Sequence, residues 1–131
     1  MDRPAEEKFV NKFIRRDRRD RLLYELGTPS KRREALSRFC HQAPQLLDHS
    51  RILMHGEDLD RSAGFLSFVH AHDGLCIVLT PDFFPDGEQM KLSDAVAWAV
   101  SCPDAVLILG DGFAVVFGEV MKGGRGKFLL E

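Results

Sequence analysis

Two histidines separated by a single residue, His70 and His72, stand in a short segment between two apolar runs. Alternate residues of a strand point to the same face, so two imidazoles at this spacing could bind one metal ion. A carboxylate from the acidic segment 57–60 would then act as a further ligand or as an acid/base group. This pattern indicates one hypothesis, a metal-dependent hydrolase. Since Asp73-Gly74 is a frequent hairpin turn that explains the aspartate without a metal, we expect no bound metal or cofactor.

Carboxylates are concentrated in two polar segments behind residue 50. The candidate partner-binding residues are Glu57, Asp58, Asp60, Asp82, Asp86 and Glu88. Polar stretches between apolar runs are typical of exposed loops, which often carry binding residues. Exposed carboxylates attract a basic partner and increase its rate of association. The sequence therefore predicts that these six residues contact a basic protein.

Basic residues are densest near the amino terminus, at Arg15, Arg16, Arg18 and Arg19. A basic helix of this kind can lie along the phosphates of a nucleic acid, which makes nucleic-acid binding an alternative function. Asp17 and Asp20 interrupt the run and allow ion pairs within the helix. No aromatic residues for base stacking are interleaved with these arginines. The composition of the segment therefore allows a solvated helix as well as a phosphate-binding one.

The charge of the chain is distributed unevenly. Residues 1–40 hold twelve Lys and Arg against seven Asp and Glu, whereas residues 41–131 hold six against thirteen. No nucleophile stands in a recognisable catalytic context, so we expect a binding protein rather than an enzyme. The leading hypothesis is a non-catalytic protein-binding module, of which an immunity or antitoxin-type inhibitor of a basic partner is one example.

The amino terminus and the cysteines bear on the compartment. Residues 1–8 include acids and a proline where a secretory signal needs a basic start followed by an apolar run. No segment has the length of apolar sequence that a membrane span requires. The three cysteines, Cys40, Cys76 and Cys102, are widely spaced and odd in number. We expect a soluble protein in the reducing cytoplasm, without a membrane partner.

The period of the apolar residues changes along the chain. Residues 1–49 show helical spacing, including a helix that starts at Thr28-Pro29 and stops near His41 ahead of Pro44. Residues 50–131 show strand patterns. The chain of 131 residues suits one domain. We predict a single α+β domain over residues 1–131, with a basic helical part at 1–49 and an acidic sheet part at 50–131.

The sequence pattern of the sheet part predicts about five strands, mainly antiparallel, with one crossover helix. The predicted strands are 65–69, 75–80, 105–109, 113–120 and 128–130, and the predicted helix runs from Ser93 to Val100. Asp73-Gly74 and Gly110-Asp111-Gly112 would each turn a hairpin. Both alternating sets of residues in 113–120 are apolar, which is typical of a central strand covered on both faces. The segment 123–127 is interpreted as a flexible, glycine-rich turn rather than a phosphate-binding loop.

Overall fold

A computed structural model describes residues 3–81, 86–120 and 125–131. The helices are α1 (Arg3–Phe13), α2 (Arg19–Leu26), α3 (Pro29–His41), α4 (Ala43–Leu46), α5 (Ala63–Ala71) and α6 (Leu92–Ser101), with 3-10 turns at Arg16–Arg18, His49–Arg51 and Leu59–Arg61. The strands are β1 (Ile52–His55), β2 (Leu75–Leu79), β3 (Glu88–Lys91), β4 (Val106–Leu109), β5 (Ala114–Phe117) and β6 (Lys127–Leu130). The predicted α+β class, with helices first, is confirmed.

Residues 3–49 are mainly helical, as the sequence pattern predicts, and they form four separate helices. Phe9, Val10 and Phe13 share one side of α1 and are buried. Helix α3 has Thr28 at its N-cap and Pro29 in its first turn, and it ends at His41. Proline fits the first helical turn because its missing N–H would have no partner there. Pro44 accordingly lies in the first turn of α4 instead of interrupting α3.

The strands form one antiparallel sheet in the order β1-β6-β5-β4-β2-β3. Strands β4 and β5 form the predicted hairpin around Gly110-Asp111-Gly112. Gly112 has a φ of 82°, which L residues with a side chain rarely adopt. A Cβ on Gly110 would lie 2.1 Å from the Phe113 ring, so this position has room only for glycine. The turn sequence therefore determines both the reversal of the chain and the place of Phe113.

Helices cover the sheet on both faces. Ile77, Leu107 and Val116 belong to the core beneath α1–α4. Their neighbours in sequence point the other way, and Val78 and Ile108 pack in the core beneath α5 and α6. All four residues of β5 are buried, and β5 lies between β4 and β6. The prediction of a central strand covered on both faces is therefore confirmed.

The predicted strand at 65–69 is wrong, because these residues belong to α5. Ser62 begins this helix by accepting a hydrogen bond from the backbone N–H of Phe65. Phe65 and Val69, one helical turn apart, are the buried residues of α5. Packing of this pair on the sheet outweighs the β propensity of the run. Asp73 also turns no hairpin; its carboxylate accepts hydrogen bonds from the backbone N–H and the hydroxyl of Ser93 in α6.

The sequence pattern did not predict strands β1 and β3, so the sheet has six strands rather than the expected five. They form its two edges, and each has four residues. None of the residues of either strand is fully buried. Strand β3 has no apolar run, and the apolar run of β1, Ile52–Met54, has only three residues, which is shorter than the four to eight that mark a strand in a sequence. The pairing of β1 with β6 also contains a bulge between Ile52 and Met54.

Candidate functional site

An acidic loop follows β1 at one edge of the sheet, and a lysine from β6 holds it in place. The Lys127 Nζ donates hydrogen bonds to the Glu57 carbonyl oxygen at 2.5 Å and to the Asp60 Oδ1 at 2.6 Å. Partial burial acts to raise the pKa of Asp60, but the hydrogen bond and charge of Lys127 outweigh it and lower that pKa. The side chains of Glu57 and Asp58 remain exposed, and Asp58 pairs with Arg61. The loop therefore presents two carboxylates from a fixed backbone.

The remaining predicted carboxylates lie elsewhere. Asp86 precedes β3 and Glu88 begins it, at the opposite edge of the sheet from β1. Five strand spacings of about 4.8 Å place the two edges about 24 Å apart. Asp82 lies outside the described residues. The structure therefore brings Glu57, Asp58 and Asp60 together but does not unite them with Asp86 and Glu88.

Asp86 belongs to a buried ion triad rather than to an exposed surface. The Arg32 guanidinium donates two hydrogen bonds to the Glu6 carboxylate, at 2.7 and 3.0 Å, and two to the Asp86 carboxylate, at 2.9 and 3.2 Å. A fifth reaches the Leu26 carbonyl at 3.1 Å. Burial acts to lower the pKa of Arg32, but the hydrogen bonds and charges of Asp86 and Glu6 raise it. The triad ties α1 and α3 to the segment before β3.

The sheet separates two helical layers of opposite charge. The first, here called the basic layer, comprises residues 3–47 with α1–α4 and holds twelve basic against six acidic residues. The second, here called the acidic layer, comprises residues 57–74 and 92–104 with α5 and α6; it holds six acidic residues against one arginine. The charge asymmetry of the sequence thus becomes an asymmetry between the two faces of the molecule.

Two exposed carboxylates of the acidic layer, Asp94 and Asp104, were not among the predicted binding residues. Asp94 lies in the first turn of α6, and Asp104 lies in the loop that follows this helix. Helical periodicity could have found Asp94, since Ala95 and Ala99 mark the buried side of the helix. Together with Glu57 and Asp58 they give the acidic layer four exposed carboxylates.

The two histidines lie at the carboxyl end of α5, and the acidic loop precedes its amino end. Nine helical residues span about 13 Å, so the length of α5 separates the two groups. The His72 ring stacks on Phe68, with centroids 4.0 Å apart. Within residues 3–81, 86–120 and 125–131, no three His, Cys, Asp or Glu side chains form a metal-binding group. The metal hypothesis assumed that His70 and His72 lie on a strand, but they lie at the end of a helix.

The arginine run lies at the junction of α1 and α2. Arg15, Arg16 and Arg18 are exposed, and Arg15 and Arg18 flank Asp17 at 3.6 and 3.8 Å. Arg19 is half-buried and donates a hydrogen bond to the Ile14 carbonyl at 2.9 Å. Three of the four predicted residues therefore reach solvent, while Arg19 holds the turn.

Arg125 lies in the segment interpreted as a flexible turn, but its side chain is buried. The guanidinium donates to the carbonyl oxygens of Gly118, Ala99 and Asp104 at 2.5, 2.7 and 2.8 Å. It also lies over the Phe117 ring, 5.1 Å from its centroid. Residues 123 and 124 are outside the described part of the chain. At Arg125 itself the segment is anchored to the end of α6.

Two of the cysteines are buried and poorly suited to nucleophilic chemistry. Burial raises the pKa of Cys40 to about 12 and that of Cys76 to about 11. Since the thiolate is the reactive species, both thiols stay protonated and unreactive near neutral pH.

Two further observations concern membrane-spanning segments and similarity to known proteins. Among the described residues, no helix has both the length and the apolar character needed to cross a membrane. Comparison with protein-family models, curated proteins and solved structures finds no match to this chain.

Proposed function

We propose that the protein is a non-catalytic binding module that uses its acidic layer to bind a basic protein in the cytoplasm. An immunity or antitoxin-type inhibitor of a basic enzyme is the form of this function that we favour. The observation that carries the proposal is the excess of acidic residues, six against one arginine, on one face of the sheet. A surface of one sign attracts a partner of the other and increases the rate of encounter.

The acidic layer has two further properties of a binding surface. Its loop at Glu57 and Asp58 is held by Lys127, so little conformational entropy is lost when a partner binds. Leu66 on α5 and Val100 on α6 are 53% and 45% exposed. Apolar residues of this kind can form the desolvated centre of an interface that carboxylates surround. The fixed loop, the exposed apolar residues and the negative charge thus all support binding at this face.

Neutralising the four exposed carboxylates, Glu57→Gln, Asp58→Asn, Asp94→Asn and Asp104→Asn, should lower the association rate by about tenfold at low salt. The salt dependence of association should weaken as well, since long-range attraction is lost. Asp60 and Asp86 are left unchanged because both form buried or half-buried ion pairs. The partner is obtained by affinity purification from the native cells with nuclease treatment, and stopped-flow mixing measures its association.

The control variant neutralises four exposed acids of the basic layer: Glu7→Gln, Asp17→Asn, Asp20→Asn and Glu34→Gln. It changes the net charge equally, so it should bind at least as fast as the unmodified protein. Equal association rates for both variants would contradict the proposal.

Nucleic-acid binding is the second candidate, supported by the exposure of Arg15, Arg16 and Arg18 in a layer with a net charge of +6. If it operates, changing these three to glutamine should weaken the affinity and flatten its decline with salt, because fewer counterions are released. Arg19 is kept because it holds the turn. A control changes Lys31, Arg61 and Lys91 to glutamine. Electrophoretic shift assays at several salt concentrations measure the nucleic-acid affinity of both variants. An equal loss of affinity in the two variants would reject a specific role for the arginine run.

A further inference from the structure

A cleft of about 870 Å³ lies between α1 and the β4–β5 turn, where Phe9 and Phe13 of the core beneath α1–α4 meet Phe113, which packs in the core beneath α5 and α6. Its lining includes residues of α1, Arg51 in the 3-10 turn before β1, and the turn from Leu109 to Phe113. The volume is within the range of small-molecule sites. The binding hypotheses above use none of this surface. The cleft is therefore a separate candidate for a ligand.

Two glycines shape the wall that the turn contributes. A Cβ on Gly110 would collide with the Phe113 ring, so the ring closes directly over this glycine. The Gly112 carbonyl accepts a hydrogen bond from the Lys12 Nζ at 2.9 Å. The same Nζ lies 5.2 Å from the centroid of the Phe13 ring. The turn and α1 are thus tied together, and they hold an ammonium group beside apolar rings.

The cleft has an excess of one positive charge. Lys8, Lys12 and Arg51 line it, against the carboxylates of Glu7 and Asp111. Glu7 is paired with Arg3 at 3.2 Å. The Lys8 side chain forms no ion pair or hydrogen bond with the described residues, and Arg51 acts on Asp48 through its charge alone. Two cations are therefore available for a ligand beside the buried rings of Phe9, Phe13 and Phe113.

We propose that this cleft binds a small organic anion, a carboxylate or phosphate group carried on an apolar body. The cationic side chains of Lys8 and Arg51 would bind the anionic group, while the apolar lining from Phe9 and Phe113 would contact the body. Few polar groups on an apolar lining are the usual composition of a small-molecule site. Arginine and lysine are the side chains that recognise carboxylate and phosphate.

Nuclear magnetic resonance titration of the full chain tests this site. The probes are phenyl phosphate and benzoate, with benzyl alcohol as the uncharged control, and the readout is the backbone amide signals of Gly110 and Gly112. We expect saturable shifts of these signals with either anion and none with the alcohol. The double variant Lys8→Gln/Arg51→Gln should weaken the affinity by at least about tenfold, since a unit charge near 4 Å in water contributes about fivefold.

A matched double variant, Arg16→Gln/Lys31→Gln, removes the same charge from exposed positions outside the cleft and should keep the affinity. Shifts with one anion alone would identify the preferred head group. Three results would overturn the proposal: no saturable shift, an equal response to benzyl alcohol, or unchanged affinity in the Lys8/Arg51 variant. The chemical-shift dispersion of each variant shows whether it is folded. The result is independent of the acidic layer, so it leaves the proposed function to its own test.

Discussion

Replacing Arg32 with methionine is expected to lower the free energy of unfolding by about 3–5 kcal/mol, the usual cost of breaking a buried ion pair by removing one partner. Methionine fills much of the space of the arginine stem, so packing changes little. The loss arises because Glu6, only 1% exposed, would remain buried without its cation. Asp86 would lose the same partner. Urea denaturation followed by circular dichroism measures the change.

The neighbouring exposed residue provides the control, since Lys31→Met should change the stability by less than about 0.5 kcal/mol. A second variant, Arg32→Met with Glu6→Gln, should recover part of the loss because it removes the buried carboxylate charge. A single Arg32→Met variant that unfolds at the same urea concentration as the unmodified protein would show that the triad does not stabilise the fold.

Arg125→Met is the other change with a large expected effect, a loss of about 3 kcal/mol. The three carbonyl oxygens that bind its guanidinium would lose a charged donor in a buried place, and an unsatisfied buried acceptor costs about 1–3 kcal/mol. Burial lowers the pKa of Arg125. Even so, a guanidinium remains protonated at neutral pH, so the group acts as a cation throughout. The unfolding free energy from urea titration again provides the measurement.

Two comparisons separate the geometry of Arg125 from its charge. Arg125→Lys keeps the cation but not the planar fork that spans the three carbonyls, so it should lose much of the same stability. Arg61→Met removes an exposed arginine and should have little effect. If lysine restored full stability, charge alone would account for the role of Arg125, and the hydrogen-bond geometry would be unimportant.

Local sequence signals predicted the elements whose ends and buried sides are marked by nearby residues. Thr28-Pro29 and His41 bound α3 as expected, and the glycines around Asp111 form the expected hairpin. The predicted strand at 65–69 was wrong because this run, with four apolar residues around Ser67, also fits a short helix with one buried side. The serine cap at residue 62 was the local signal that could have distinguished the two. The local signal is short in β1, with three apolar residues, and absent in β3, so pairing with β6 and β2 defines these edge strands.

At the candidate site, too, the exposure of a loop residue could be predicted from its neighbours in sequence, whereas ion pairs with residues far along the chain could not. Glu57 and Asp58 are exposed, as a polar loop predicts. Asp60 and Asp86 looked equivalent to them in the sequence but form ion pairs with Lys127 and Arg32, which are 67 and 54 residues away. Such pairs depend on the folded topology, which a local pattern does not contain. Arg125 was missed for this reason as well, because all its partners lie on other elements or loops.

The bulge in β1 and the charged residues of β3 have a consequence for how the molecule can meet other proteins. An edge strand with free backbone groups is a template onto which another chain can add a strand. The bulge disturbs the ladder at one edge, and Glu88 and Lys91 place charges along the other. Both edges are also only four residues long. The sheet is thus poorly suited to strand addition or to edge-to-edge aggregation, and this directs association to the helices on its two faces.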